Sequence, residues 1–340
     1  MTINVVLVTN EAVVLGCDST ASRGDYYIDP FRIGLDLDPS GKPVVDADGR
    51  FSLKFKFDDM EHITTDAWVG VTKMFPLSDK NSHVAAVTSG PAAMNQRTMS
   101  SLASEYRAER NKQKAANQKR TVKGIAEEFL ALVRREYDEH YRSSAVPPPL
   151  RQGPEFLIGG FGQNDNFPCA FRVRVTENDV HEDFANGNAG LSWNAQSDAV
   201  ERIVRGYDRK LRSDIEQSFD EALKTYQGEM NNAMLRIIDA VLTGLNATMP
   251  PGVDTTLPSQ VTVSPPWDKL QTYVPYAALP LQEAVNFVGY LIMLQVGKSR
   301  FAPGVATVGG RTHIGVITRD EGYRQLNEPA LTHHYIGFDR

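Results

Sequence analysis

The sequence predicts an α+β protein in which β-sheets pack against one another and helices cover their outer sides. Three observations carry this reading. Apolar runs of strand length open the chain, return in its middle and close it. Long amphipathic segments of helical period fall between those groups. Strands and helices come in clusters and do not alternate one for one, which argues against a parallel βαβ sheet. With 340 residues, 41% hydrophobic and 23% charged, the chain can build a sizeable core.

The first element is a hairpin. Val5, Val6, Leu7 and Val8 form one apolar run and Val13, Val14 and Leu15 a second, with Asn10 and Glu11 at the turn. Termini fray unless they are tied down, so a core strand at residue 3 holds the start of the chain in place. Residues 23–72 are polar and turn-rich, punctuated by "DPSGKP" and "DADGR". Within them "FSLKFKF" alternates apolar and charged residues as a half-exposed strand does. The run "HVAAVTSG" reads as a short strand, and "GPAAMNQRTMSSLASEYRAER" as a helix starting at Pro91, a residue favoured in the first turn. After the basic connector "NKQKAANQKR", a second helix places Ile125, Phe129, Leu132, Val133 and Tyr137 on one face.

"SSAVPPPLRQGP" breaks that helix, and strands follow at "EFLIGGF", "CAFRVRVT" and "DVHEDFANG". From Ser197 the pattern is helical again, through "DAVERIVRGY" and a longer stretch carrying Phe219, Leu223, Met230, Met234 and Ile238. The proline-rich "ATMPPGVDTTLPSQVTVSPPW" comes next. A last helix, "PLQEAVNFVGYLIMLQVG", leads into "GVATVGGRTHIGVIT", a glycine turn and closing strand.

A formal charge of −6 gives no support for a nucleic-acid surface. No run approaches the roughly 20 apolar residues of a membrane span, and no signal-peptide pattern opens the chain. Cys17 and Cys169 are too few for a disulfide framework and lack metal-ligand spacing. The expectation is a cytoplasmic protein without metal or cofactor, binding neither nucleic acid nor membrane. His181, His313, His333 and His334 read as surface or core histidines, and "GGRTH" is too short for a phosphate loop.

Chemistry enters at residue 2. If Met1 is removed, as is usual before a small residue, Thr2 carries a hydroxyl and a free α-amine. That amine, with a pKa near 7.7–8.0, can take the hydroxyl proton at neutral pH, so one residue is nucleophile and base. The site also needs a carboxylate, a cation and backbone N–H donors for an oxyanion. Asp18 is an acidic residue in the apolar strand "VVLGCDS". A buried carboxylate is costly unless paired or hydrogen-bonded.

The stretch "TINVVLVTNEAVVLGCDSTAS" resembles the mature start of the proteasome β-subunit group, including HslV and the bacterial Anbu-type proteins. There a processed threonine is followed, sixteen positions on, by an aspartate in a "G-(A/C)-D-(S/T)" stretch, and Thr2 and Asp18 reproduce that spacing. The resemblance implies an N-terminal nucleophile hydrolase with a four-layer αββα sandwich, Thr2 being nucleophile and its amine base. It implies insertions here at about 23–72 and 206–277. The active-site lysine falls on Lys73 in "TKMFPLSDKNSHVAAVTSG", with Lys54 and Lys56 as rivals. Gly90 matches the glycine whose N–H lines the oxyanion hole, and Ser192 in "GNAGLSW" the serine beside the nucleophile. "EFLIGGF", "PLQEAVNFVGYLI" and "VGGRTHIGVIT" are similar to later strands and a helix of the group.

The chain departs from the pattern at Val305 and Val308, where the family usually has an aspartate and a serine that steady the threonine amine. The function implied is a threonine peptidase acting on peptides or unfolded protein, self-associated into a ring or spiral. An inactive proteasome-like structural subunit and an amidase for small molecules are the alternatives. Helical residues such as Leu235, Ile238, Val241 and Leu242 are expected to bury against the body or a neighbouring subunit.

Overall fold

The computed structural model describes residues 2–28, 33–54, 60–78, 83–112, 121–144, 146–163, 165–249 and 265–326. They form a mixed α/β structure with antiparallel sheets and five α-helices among the described residues. The chain divides into two compact units, Met1–Ser197 with Pro275–Arg340, and Asp198–Val274.

The strands in chain order are β1 (Ile3–Val8), β2 (Ala12–Cys17), β3 (Thr20–Ile28), β4 (Gly34–Leu35), β5 (Leu53–Lys54), β6 (Met60–Val69), β7 (Met74–Pro76), β8 (Val84–Ser89), β9 (Ala93–Met94), β10 (Arg97–Thr98), β11 (Glu155–Gly160), β12 (Cys169–Arg174), β13 (Asp179–Phe184), β14 (Gly190–Ala195), β15 (His313–Thr318) and β16 (Gly322–Gln325). The helices are α1 (Met99–Lys112), α2 (Val122–His140), α3 (Asp198–Arg205), α4 (Arg209–Gly244) and α5 (Leu281–Phe301).

Two five-stranded antiparallel sheets dominate the first unit, ordered β14-β1-β2-β15-β16 and β13-β12-β11-β8-β7. One apolar cluster joins them: Val6, Val8, Val13 and Leu15 of the first sheet pack with Ala85, Val87 and Leu157 of the second. Alternate residues of the second sheet, Ala86, Phe156, Ile158 and Val173, face the other way and pack on Leu102, Phe129 and Val133 of α1 and α2. Phe129 meets Phe156 edge-on at 5.1 Å and Phe75 at 6.3 Å between centroids, the geometry aromatic pairs favour. The first sheet is covered by α5: a Cβ added to Gly16 would collide with Val288 and Ile292. Sheets buried on both faces need apolar residues at successive positions. The runs in β1, β2 and β8 are therefore continuous, and all three strands are buried throughout.

The structure differs from the sequence reading in several places. The stretch 23–72, expected to be turn-rich around one half-exposed strand, carries more strand than that. It holds the long antiparallel pair of β3 and β6, with the smaller β4–β5 pair between them. In "FSLKFKF" only Leu53–Lys54 forms a strand among the described residues, Phe51 makes an isolated bridge to Val45, and residues 55–57 lie outside the described residues. The strands β14 and β16, at the edge positions of the first sheet, escape the sequence reading because β14 is mixed in polarity and β16 has only four residues.

The first helix begins at Met99, not at Pro91. The hairpin of β9 and β10 intervenes, with Asn95 and Gln96 in the left-handed region at its tip (φ 47° and 64°). That is the backbone a two-residue hairpin turn requires. Glu136 of α2 anchors it, pairing with Arg97 and accepting from Asn95 Nδ2 at 3.0 Å. Gly90 precedes this hairpin with φ 91°, and a Cβ there would stand 2.7 Å from the Gly153 carbonyl oxygen. Gly90→Ala is expected to destabilise the protein by about 2 kcal/mol, read as a lower midpoint in urea.

The second unit contains α3 and α4. Asp208 caps α4 through Leu211 N at 2.8 Å and pairs with Arg202. Tyr207 and Trp267 meet at a tilt, 4.8 Å between ring centroids, with the Arg212 guanidinium over both rings. The 36 residues of α4 include none that is buried. Val241 stands exposed, and Leu235, Ile238 and Leu242 are half-buried.

Candidate active site

The strand β1 puts Thr2 at the end of the first sheet, where its carbonyl accepts from Gln196 N at 2.8 Å. The neighbouring β2 ends at Cys17, so Asp18 follows directly beside Thr2. Lys73 comes from the other sheet, one residue before β7. All three are buried, with Asp18 wholly inaccessible and Thr2 3% exposed.

Lys73 Nζ donates to Thr2 Oγ1 at 2.6 Å, to Asp18 Oδ1 at 2.7 Å and to the Thr20 carbonyl. An ammonium has three protons to donate, and these three acceptors use them. The Thr2 hydroxyl donates to Asp18 Oδ1, which also accepts Ile3 N at 3.1 Å. Asp18 Oδ2 accepts Thr20 N at 3.1 Å and Gly309 N at 3.0 Å. The buried carboxylate is thus paired and hydrogen-bonded through both oxygens, the condition for keeping a charge in the interior. Burial lowers the Lys73 pKa below the usual lysine value, and the attraction of Asp18 works against that shift.

The glycine turn before β15 closes the site. Besides Gly309 N on Asp18, Ser19 N donates to Gly309 O at 3.1 Å and Arg311 N to Ser19 Oγ at 2.7 Å. Sequence reasoning passed over Ser19, Thr20 and Gly309 because they act through the backbone or through a short hydroxyl, which leaves no distinctive spacing.

The structure brings Thr2, Asp18 and Lys73 together. Lys54 is exposed in β5, and Lys56 lies outside the described residues, as do Met1, His333 and His334. Gly90 is not at a helix N-terminus, since β9 and β10 separate it from α1, so no helix dipole reinforces its N–H. Ser192 stands opposite Val6 in the β1–β14 register. Its hydroxyl donates to Asp183 and accepts Arg172 Nη2 at 2.7 Å. Because Arg172 and Asp183 belong to β12 and β13, Ser192 ties the edges of the two sheets together. Ser192→Ala is expected to cost about 1–2 kcal/mol while leaving any Thr2-dependent turnover near the wild-type rate.

A row of buried polar side chains crosses the first sheet beside the site. Asn194, Asn4, Cys17 and His313 are neighbours in register on β14, β1, β2 and β15. Burial pushes the Cys17 thiol up to about 12 and lowers the His313 pKa. Cys17 is therefore held as the neutral thiol at neutral pH. His181 is exposed, 4.0 Å from Asp183. Among the described residues no group of three or more His, Cys, Asp or Glu is placed to hold a metal ion. None of the described helices is long and apolar enough to cross a membrane.

No family model matches the chain, and no curated protein does. Solved structures do. A Gly-1 mutant of Anbu from Hyphomicrobium sp. strain MC1 is 10% identical with a TM-score of 0.46, the match covering 97% of this chain and 88% of that one. Anbu (ancestral beta-subunit) from Yersinia bercovieri is 11% identical with a TM-score of 0.44, covering 96% and 88%. The helical assembly of the Anbu complex from Pseudomonas aeruginosa is 11% identical with a TM-score of 0.43, covering 97% and 88%.

Proposed function

We propose that this chain is an amide-bond hydrolase whose nucleophile is Thr2, freed as the N-terminal residue by removal of Met1. The observation that carries the reading is the Lys73 ammonium, 2.6 Å from Thr2 Oγ1 and 2.7 Å from Asp18 Oδ1 inside a buried cluster. The two sheets with helices packed on both outer sides support reading the fold as a four-layer αββα sandwich, the scaffold of N-terminal nucleophile hydrolases.

In the proposed cycle Thr2 Oγ attacks the substrate carbonyl carbon while the Thr2 amine takes the hydroxyl proton. Lys73, held by Asp18, keeps a positive charge beside the oxygen and depresses the amine pKa by like-charge repulsion. The Gly90 N–H donates to the carbonyl oxygen as it becomes an oxyanion. The protonated amine then passes its proton to the leaving nitrogen, and an ester remains on Thr2. Water, deprotonated by the same amine, attacks the ester and releases the carboxylic acid, restoring the hydroxyl. A peptide or unfolded protein is the substrate class the family resemblance supports, and a self-associated ring or spiral the assembly.

The non-catalytic reading draws on Val305, which is exposed, and Val308, which is buried, at positions where the family has polar groups for the amine. Against it, a scaffold has no use for a desolvated carboxylate and ammonium aimed at a hydroxyl.

The test is chemical. Intact-mass spectrometry of protein from a host with active methionine aminopeptidase is expected to show a mass short by Met1. A peptide boronate or epoxyketone is then expected to form an adduct that peptide mapping places on Thr2. Full-length mass together with no adduct would reject the hydrolase and leave the structural subunit.

A further inference from the structure

The helix α4 spans about 54 Å at 1.5 Å per residue, yet none of its residues is buried. Helices of proteins are maintained mainly by packing an apolar face, so a helix this long calls for a partner. Its exposed large apolar residues, Met234 apart, fall on one rhythm. From Leu211 to Val241 they recur in steps of four, four and three residues, passing through Tyr226 at the middle. An eleven-residue repeat of this kind nearly matches the α-helical period and keeps the stripe on one face of an almost straight helix. Tyr226 and Ile237 on this stripe are 60% and 65% exposed.

We propose that this face binds the same face of a second copy, with the two α4 helices antiparallel about a twofold axis at Tyr226. The steps read alike in both directions, so this register sets every stripe residue against another. Leu211 meets Val241, Ile215 meets Ile237, and Tyr226 meets its own copy. Size also alternates: Phe219 faces Ala233, and Met230 faces Ala222, the large-into-small fit that close packing needs. Asp214 and Arg236 lie on the same flank of the stripe. The antiparallel pair brings them within about 3 Å of each other along the axis, one opposite-charge contact on each side of the twofold.

A parallel pair in register fits worse. It would stack Phe219 on Phe219 and Ala222 on Ala222 and bring Asp214 alongside Glu216. A self-complementary patch related by a twofold is the commonest symmetric interface, and a stripe of this length can supply the roughly 800 Å² per partner of a standard one. The interface makes no use of Thr2 and stands whether or not the chain hydrolyses anything.

Cysteine cross-linking of the full chain tests the register, with wild-type protein as the control for Cys17 and Cys169. Under mild oxidation Tyr226→Cys is expected to give a covalent dimer. Leu211→Cys alone is expected to give none, and a mixture of Leu211→Cys with Val241→Cys to give one. Self-linking of Leu211→Cys, or no link at Tyr226→Cys, overturns the proposal. In sedimentation velocity, Ile237→Glu is expected to weaken association at least tenfold with an unchanged circular dichroism spectrum. Asp214→Arg is expected to weaken it several-fold, and adding Arg236→Asp to restore it. Identical sedimentation of wild type and Ile237→Glu, or no rescue in the double variant, rejects the pairing even if hydrolysis is later demonstrated.

Discussion

Thr2→Ala is expected to lower hydrolysis of a fluorogenic peptide amide by roughly 10⁴-fold or more, the scale seen when a covalent nucleophile is removed. Its effect on stability should be small by comparison. The hydroxyl contributes one donated and one accepted hydrogen bond, to Asp18 and from Lys73, worth about 1–3 kcal/mol together. Thr2→Ser keeps the Oγ and its neighbours, so part of the activity should survive. Measuring kcat/KM for the three proteins beside their urea midpoints separates the two effects. Equal rates for wild type and Thr2→Ala would remove Thr2 as nucleophile, whatever its surroundings.

Much of this site was legible at residue level because burial forces a pattern. An aspartate at the end of a wholly apolar strand needs partners, which drew attention to Asp18, and the hairpin of β1 and β2 brings it next to Thr2. Lys73 could not be derived that way. It comes from the opposite sheet, and only the family resemblance distinguished it from Lys54 and Lys56. Continuous apolar runs betrayed the central strands, since both faces of each sheet are covered. The β3–β6 pair lacks such a core signal, for Trp68 and Val69 stand exposed on it, so its residues read only as part of a polar, turn-rich stretch. The helix start at Pro91 was misread for a related reason. A glycine before a helix and a glycine needed for a close pass over Gly153 look alike in one dimension.

The second large effect is expected at the buried ion pair. Asp18→Asn removes the anion and leaves the Lys73 ammonium desolvated, a loss of about 3–5 kcal/mol. Lys73→Met should cost less, because Asp18 keeps the N–H groups of Ile3, Thr20 and Gly309. The double variant Asp18→Asn/Lys73→Met should lose clearly less than the sum, giving a coupling of about 1–3 kcal/mol in a double-mutant cycle. The pH dependence has a definite sign. Burial lowers the folded Lys73 pKa below its value in the unfolded chain. Between those values the unfolded state binds more protons, so unfolding free energy rises with pH across that window, which lies below the ordinary lysine value. Lys73→Met removes this contribution, and the gap between the two proteins should therefore change with pH across that window. Additive losses in the cycle would show that Lys73 and Asp18 do not act as a coupled pair, and a gap independent of pH would show that folding does not lower the Lys73 pKa.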